Sequence, residues 1–210
     1  MGIPVIVYGK SGSGKTRSLK NFGEEEIILI NVDGKELPFK KTFKHTYSVE
    51  KPADIIKYLK RAYEIGIKTA VIDDCGLSQQ HHFYQNHRIK SGNSQFEMYD
   101  DIADNLYFTV DLSKTQLPKD MVIYIILHEE IDEWGNSKIL YIGKQLSRKA
   151  PLETRCTVVL RCMSENGRHF FRTTTDGSDI AKSPEEMFEK DEIDNDLKAV
   201  DTAIRDYWNL

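Results

Sequence analysis

Gly9-Lys10-Ser11-Gly12-Ser13-Gly14-Lys15-Thr16 stands between the apolar run Ile3-Pro4-Val5-Ile6-Val7-Tyr8 and the polar-apolar mix Arg17-Ser18-Leu19-Lys20. The octapeptide fills every fixed position of G-x-x-x-x-G-K-[ST], the phosphate-binding loop. The run before it reads as a buried strand, and Thr16 onward reads as the start of a helix. A strand, a glycine loop and a helix in that order aim backbone N–H groups and a positive helix end at an anion. Glycine lets the chain close around a phosphate where a Cβ would collide. Gly9 through Thr16, with Arg17, are therefore the candidate nucleotide ligands. Lys15 is expected to reach the β- and γ-phosphates and the Thr16 hydroxyl to hold Mg²⁺, which makes ATP and Mg²⁺ the expected cofactors. A glycine-serine turn that fits the pattern by accident is the alternative, and the flanking strand and helix weigh against it.

Working outward from the loop, Ile27-Ile28-Leu29-Ile30-Asn31-Val32 is a second buried strand closed by the turn signal Asp33-Gly34. Thr46 to Val49 suits a short edge strand. Pro52 opens a helix with Ile55, Leu59, Ala62 and Tyr63 on its apolar face. Thr69-Ala70-Val71-Ile72 is a third buried strand, running into Asp73-Asp74. A polar, histidine-rich stretch from Gln79 to Ser94 follows. A helix then carries Phe96, Tyr99, Ala103, Leu106 and Val110 on one side. Met121 to Leu127 is continuously apolar, as a central parallel strand should be.

Beyond this point the pattern changes to hairpins. Glu133-Trp134-Gly135-Asn136 reads as one tip. Glu165-Asn166-Gly167 reads as another, between Thr157–Leu160 and His169–Arg172. A last helix bears Leu197, Val200, Ile204 and Tyr207. The order predicts an α/β fold: a mainly parallel sheet flanked by helices, with a C-terminal antiparallel hairpin extension. Residues 1–190 are expected to form the nucleotide-binding domain. Residues 191–210 would form an acidic helical segment packed on it or extending it.

Composition narrows the class. With 210 residues and 40% hydrophobic content, the chain can bury a substantial core. No apolar run approaches the roughly 18 residues of a membrane span. The N-terminus opens straight into a core strand, so neither a leader nor a membrane association is expected. Cys75, Cys156 and Cys162 are odd in number and form no CxxC motif, which suggests reduced thiols and a cytoplasmic location. A net charge of −4 argues against a general affinity for nucleic acid but not against a local basic patch. Such a patch is visible. Eight Lys/Arg lie between Lys138 and Arg172 against only Glu153 and Glu165, whereas Glu185 to Asp201 holds eight acids against Lys190 and Lys198. The first stretch could face phosphates. The second could be a solvated tail or a competitor for the same patch.

A phosphate-binding loop needs a second carboxylate to hold the metal, and Asp73 at the end of a buried strand is the candidate. Asp74 could orient a water or cap a helix. His128 emerges where Met121–Leu127 ends and could sense the γ-phosphate, or be an ordinary strand-end histidine. Glu129 and Glu130, next to it, are candidate bases. Asp33 and Glu36 could polarise the attacking water. Arg148, Arg172 and Lys182 are candidates for a residue that neutralises transition-state charge, in a neighbouring subunit for Arg172 and Lys182. Surface ion pairs are the alternative for all three. The clustered histidines between Gln79 and Lys90 match no zinc spacing. Their neighbours Phe83, Tyr84, Arg88 and Lys90 suit base stacking and phosphate pairing, as do Lys144, Arg148 and Lys149 further on. The two segments follow two neighbouring strands and should leave the same sheet edge.

That arrangement resembles the RecA-type ATPase core. In that core the loops after the corresponding strands bind single-stranded DNA, and the residue ending the sensor strand links them to ATP. More narrowly, the chain resembles the short phage-encoded RecA-like nucleotide-binding proteins of recombination modules. These are implicated in strand annealing beside a single-strand-binding protein. The resemblance rests on Gly9–Thr16, Val71-Ile72-Asp73-Asp74, His128, Arg172-Thr173-Thr174-Thr175-Asp176-Gly177 and Ala181-Lys182-Ser183-Pro184, and covers roughly residues 3–190. It implies single-stranded DNA as partner, a homo-oligomer with nucleotide between subunits, and the cytoplasm of a bacterial host. Two departures stand out. The P-loop begins at Gly9, so filament formation through an N-terminal polymerisation segment is not expected. The catalytic glutamate of such ATPases follows the second core strand, where Asp33 lies nearest and Glu36 is offset.

Three functions are compatible with these residues. The first is an ATPase that binds single-stranded DNA and assists recombination or annealing. The second is a small-molecule phosphotransferase such as a nucleoside or nucleotide kinase. The third is a non-hydrolysing nucleotide switch whose acidic segment from Glu185 contacts a partner.

Overall fold

The computed structural model describes residues 1–49 and 52–210. The apolar run ahead of the glycine loop forms β1 (Ile3–Gly9), buried from Pro4 onward. Around it lie β2 (Ile27–Asn31), β3 (His45–Ser48), β4 (Thr69–Asp73) and β5 (Val122–Ile131). Further along come β6 (Ser137–Ile139), β7 (Val158–Glu165), β8 (Arg168–Arg172) and β9 (Glu192–Asp194). Their order across the sheet is β3-β2-β4-β5-β1-β7-β8-β9, with β6 beside the outer half of β5. Neighbours from β3 through β7 run parallel, and β6, β8 and β9 run antiparallel to their neighbours. The fold is thus α/β, mostly parallel, with an antiparallel extension at its C-terminal side.

Side-chain alternation along the strands builds two cores. Ile6, Tyr8, Ile28 and Ile30 face one side, beneath α1 (Pro52–Glu64) and α3 (Asn93–Thr115). Val5, Val7, Ile27 and Leu29 face the other, beneath a short 3-10 helix (Thr16–Asn21) and α5 (Leu197–Trp208). Ile55 and Leu59 of α1 are fully buried and stabilise the first layer by about 2 kcal/mol each. The Asn166-Gly167 turn joining β7 and β8 has positive φ at both residues (50° and 79°), the geometry that matches strand twist in a tight hairpin.

Several expectations are corrected. The segment after the phosphate loop does begin a helix at Thr16, but of the 3-10 kind and six residues long. At Phe22 the backbone turns extended to bury the ring, and Gly23 follows. The histidine-rich stretch forms α2 (Leu77–Asn86) and a turn rather than a loop, and Lys144–Lys149 encloses the short α4 (Gln145–Arg148). Tyr63, Phe96 and Tyr207 are exposed rather than packed. In α3 the buried face runs through Met98, Ile102, Ala103, Leu106 and Val110, and Phe96 lies two residues (~200°) before Met98. The acidic segment is only partly a solvated face. Asp196 caps α5 through Lys198 N and Ala199 N, and Asp201 is buried. The cysteines are unbridged and buried, and among the described residues no helix is long and apolar enough to cross a membrane.

Candidate functional site

Strand register gathers the motif residues at one sheet edge. Gly9 lies beside His128 across β1 and β5, and Asn31 beside Asp73 across β2 and β4. Thr16 Oγ1 donates to Asp73, 2.9 Å from Oδ2 and 3.1 Å from Oδ1. Burial pushes the Asp73 carboxyl up to about 6, with the nearby Asp74 charge adding to the rise and the Thr16 hydrogen bond opposing it. Lys15 Nζ donates to the Gly9 and Lys10 carbonyl oxygens at 2.9 Å each. Its burial lowers its pKa, against the pull of Asp74 and Asp73. Asp74 has φ +53°, and its carboxylate lies 3.2 Å from His128 Nε2 and 3.7 Å from Lys35 Nζ. The hydrogen bond from His128 holds the Asp74 carboxyl below its ordinary range.

These groups line a cavity of about 410 Å³ together with Ser11, Gly12, Gly14, Arg17, Glu36 and His169. Asp33 is turned to Lys35 (2.6 Å) and His81 (3.8 Å), so Glu36 and Asp74 are the carboxylates that face the cavity beside Asp73. The donor set fits a divalent cation. A buried carboxylate with a raised pKa favours a compensating charge, and a hydroxyl that donates to it keeps its lone pairs for the metal.

Two glycines of the loop are demanded by close approach. A Cβ on Gly9 would stand 2.3 Å from Cys162 O of β7. Gly14 has φ +106°, and a Cβ there would stand 2.8 Å from His169 Nδ1 of β8. The loop is thus seated on β7 and β8 as well as on its own strand.

A second concavity, about 810 Å³, opens between α2, α3 and α4. Phe83 and Tyr84 from α2 and Phe96 and Tyr99 from α3 form its aromatic wall, and Lys144, Arg148 and Lys149 its basic wall. Tyr84 is 71% exposed and meets Phe83 edge-on at 5.4 Å. The structure therefore brings Tyr84 together with Lys144, Arg148 and Lys149. Arg88 and Lys90 lie in the turn after α2 and do not line this groove, and Lys90 stands 3.9 Å from Asp101. Gln79, buried in α2, donates to Ile102 O of α3 and accepts from Ile142 N, in the groove's other wall.

The remaining candidates fall elsewhere. Arg172 bonds Asp176 (2.5 Å) and Asp179 (3.3 Å) of its own chain, and Lys182 forms a backbone bridge with Val159. Glu129 accepts from Ser137 Oγ at 2.6 Å and Arg161 Nε at 3.1 Å. Glu130 lies on the β5–β6 hairpin, opposite Lys138.

No protein-family model matches this chain, and no curated protein matches it. Among solved structures, it is similar to a KaiC-like protein from the hyperthermophilic archaeon Pyrococcus horikoshii OT3. The identity is 15%, the match spans 81% of this chain and 77% of that one, and the TM-score is 0.39.

Sequence reasoning missed His169, Lys35 and Asn31, all of which line the nucleotide-sized cavity. Lys35 had a signal, lying within the Asp33–Glu36 turn already singled out. Asn31 accepts from Gly34 N and donates to Lys35 O, fixing that turn. His169 had none, because 156 residues separate it from the loop it touches.

Proposed function

We propose that this chain is a Mg²⁺-dependent ATPase that binds single-stranded DNA in the groove between α2, α3 and α4 and assists strand annealing or recombination. One observation carries the reading. The helix α2 begins at Leu77, whose N–H donates to Asp74 O, and ends among the aromatic and basic walls of the groove, so one helix runs from beside the phosphate-loop cavity to the groove. Stacking platforms beside cationic side chains suit single strands of any sequence, because every base has a face and every nucleotide a phosphate.

In this reading the loop amides and Lys15 hold the phosphates, and Thr16 and Asp73 hold Mg²⁺. When bound, the metal would neutralise charge on the phosphate oxygens. Asp74, oriented by His128, and Glu36 are placed to position the attacking water. A nucleotide-dependent change at Asp74 or His128 would move α2 and, through Gln79, both groove walls. A second copy of the chain, with nucleotide between subunits, would supply the transition-state cation, for which Arg148 and Lys182 remain candidates from the sequence.

The test is Mg²⁺-dependent ATP hydrolysis with and without single-stranded DNA, for the native chain and Lys15→Ala. The expected result is hydrolysis stimulated by DNA and absent in the variant. Hydrolysis that depends on a nucleoside or nucleotide acceptor and ignores DNA would replace this reading with a phosphotransferase. Tight ATP binding without turnover would replace it with a nucleotide switch.

A further inference from the structure

Resting on the nucleotide reading above, we propose that His169 is a positioning residue for the phosphate loop: it holds the Ser13 carbonyl so that the Gly14 amide faces the phosphates. His169 Nδ1 lies 2.7 Å from Ser13 O. A carbonyl oxygen only accepts, so Nδ1 carries the proton in this bond. Cys162 Sγ donates to the same oxygen at 3.3 Å, and Asn195 Nδ2 donates to that sulfur at 3.3 Å. β7, β8 and the turn after β9 thus converge on one peptide group of the loop.

The consequence follows from peptide geometry. The Ser13–Gly14 peptide is trans, so its N–H points opposite to its C=O. Drawing the carbonyl toward β7 and β8 turns the Gly14 N–H away from them, toward the cavity that Gly14, Lys15 and Thr16 line. Gly14, with φ +106°, resists rotation of this peptide less than any other residue would. Fixing the amide before the anion arrives removes a reorganisation cost from binding. The brace also acts from the far side of the loop. β8 lies two strands beyond β1, opposite to β4 and its carboxylates, so it leaves the metal side untouched. The ring packs directly on the loop, as the 2.8 Å approach of Nδ1 to a Gly14 Cβ position shows.

The experiment is calorimetric titration of ATP with Mg²⁺ into the native chain, Lys15→Ala, His169→Asn, His169→Gln and His169→Phe, with the thermal midpoint of each. The Asn amide nitrogen takes the place of His Nδ1, whereas the Gln amide reaches the place of Nε2. The expected result is ATP binding about tenfold weaker in the Phe and Gln variants and restored to within about twofold by Asn, at similar thermal midpoints. Native-like binding by the Phe variant would overturn the proposal, because the bond would then be idle. So would an Asn variant as weak as Phe, which would assign the effect to Nε2, or an affinity loss that merely tracks the thermal midpoint. Absence of binding in the native chain would overturn the nucleotide reading itself, and this proposal with it.

Discussion

His128 Nε2 lies 3.2 Å from Asp74 Oδ1, tying the outer part of β5 to the residue that leaves β4. Asp74 has φ +53°, a left-handed conformation that aspartate adopts more readily than most residues, and the His128 contact holds its carboxyl below the ordinary range. In the ATPase reading proposed above, this carboxylate lining the cavity beside the phosphate loop is the candidate for positioning the attacking water.

His128→Ala is therefore expected to lower the single-turnover rate of ATP hydrolysis by at least about tenfold while ATP affinity stays within a few-fold. Rapid-quench kinetics set against equilibrium binding will separate the two. A parallel loss of affinity would make the pair a structural strut instead.

Asp73 predicts opposite effects on stability and function. Its folded pKa, about 6, lies above the ordinary aspartate value, so its contribution to folding is fully present below about pH 4 and lost as pH rises through 6. At pH 7 the buried charge is a burden. Asp73→Asn keeps an oxygen that can accept from Thr16 and removes that charge, so it should raise stability by on the order of 2 kcal/mol. The same change should abolish Mg²⁺-dependent ATP binding. In the native protein that binding should weaken as pH falls below 6. Urea denaturation and titrations at pH 5 and 7.5 check both signs.

Tyr84→Ala should weaken single-stranded DNA binding about tenfold, the effect of losing one stacked base. Arg148→Ala with Lys149→Ala should instead reduce the salt dependence, lowering the log–log slope by roughly 1.4 for two lost phosphate contacts. Binding isotherms from low to moderate salt distinguish these outcomes. An unchanged slope would remove α4 from the interface.

The opposite end of the sheet carries a different kind of site. Asp201 accepts from Arg205 Nε at 2.7 Å, Thr69 Oγ1 at 3.2 Å and Tyr124 OH at 3.3 Å, and Arg205 donates onward to Lys68 O and Asp120 O. This network pins α5 to the starts of β4 and β5. Asp201→Ala leaves Arg205 without its carboxylate and should cost about 3 kcal/mol in urea denaturation. ATP affinity of the folded variant should be unchanged, because the network lies at the edge away from the phosphate loop.

Local pattern carried the sequence reading well where one strand or one loop decides the answer. Gly9–Thr16, the run from Thr69 to Asp74 and the Asn166-Gly167 turn each contain their own geometry in adjacent residues. The reading weakened where helical phase had to be judged. Phe96 fits the helical spacing of Tyr99, Ala103, Leu106 and Val110, yet Met98 and Ile102 set the phase and leave Phe96 at 70% exposure, in the groove. The histidine-rich stretch looked like a loop because its polar residues hide a helix with little apolar face. Asp33 and Glu36 were equal candidates for polarising a water, with a plain turn aspartate as the alternative, and the pairing of Asp33 with Lys35 and His81 depends on side-chain geometry that spacing does not encode. His169 was invisible for another reason, since only the sheet order brings β8 beside the phosphate loop.

The brace on Ser13 also sets an order of events during synthesis. The groups that hold the Ser13 carbonyl come 149 and 156 residues after it. At ribosomal rates this gap corresponds to roughly 10–30 s. Over the last part of that interval β1 can already pair with β5, but its glycine loop lacks the support of β7 and β8. The phosphate loop thus acquires its final shape only after β8 is made, and ATP is expected to favour the completed fold over a nascent one.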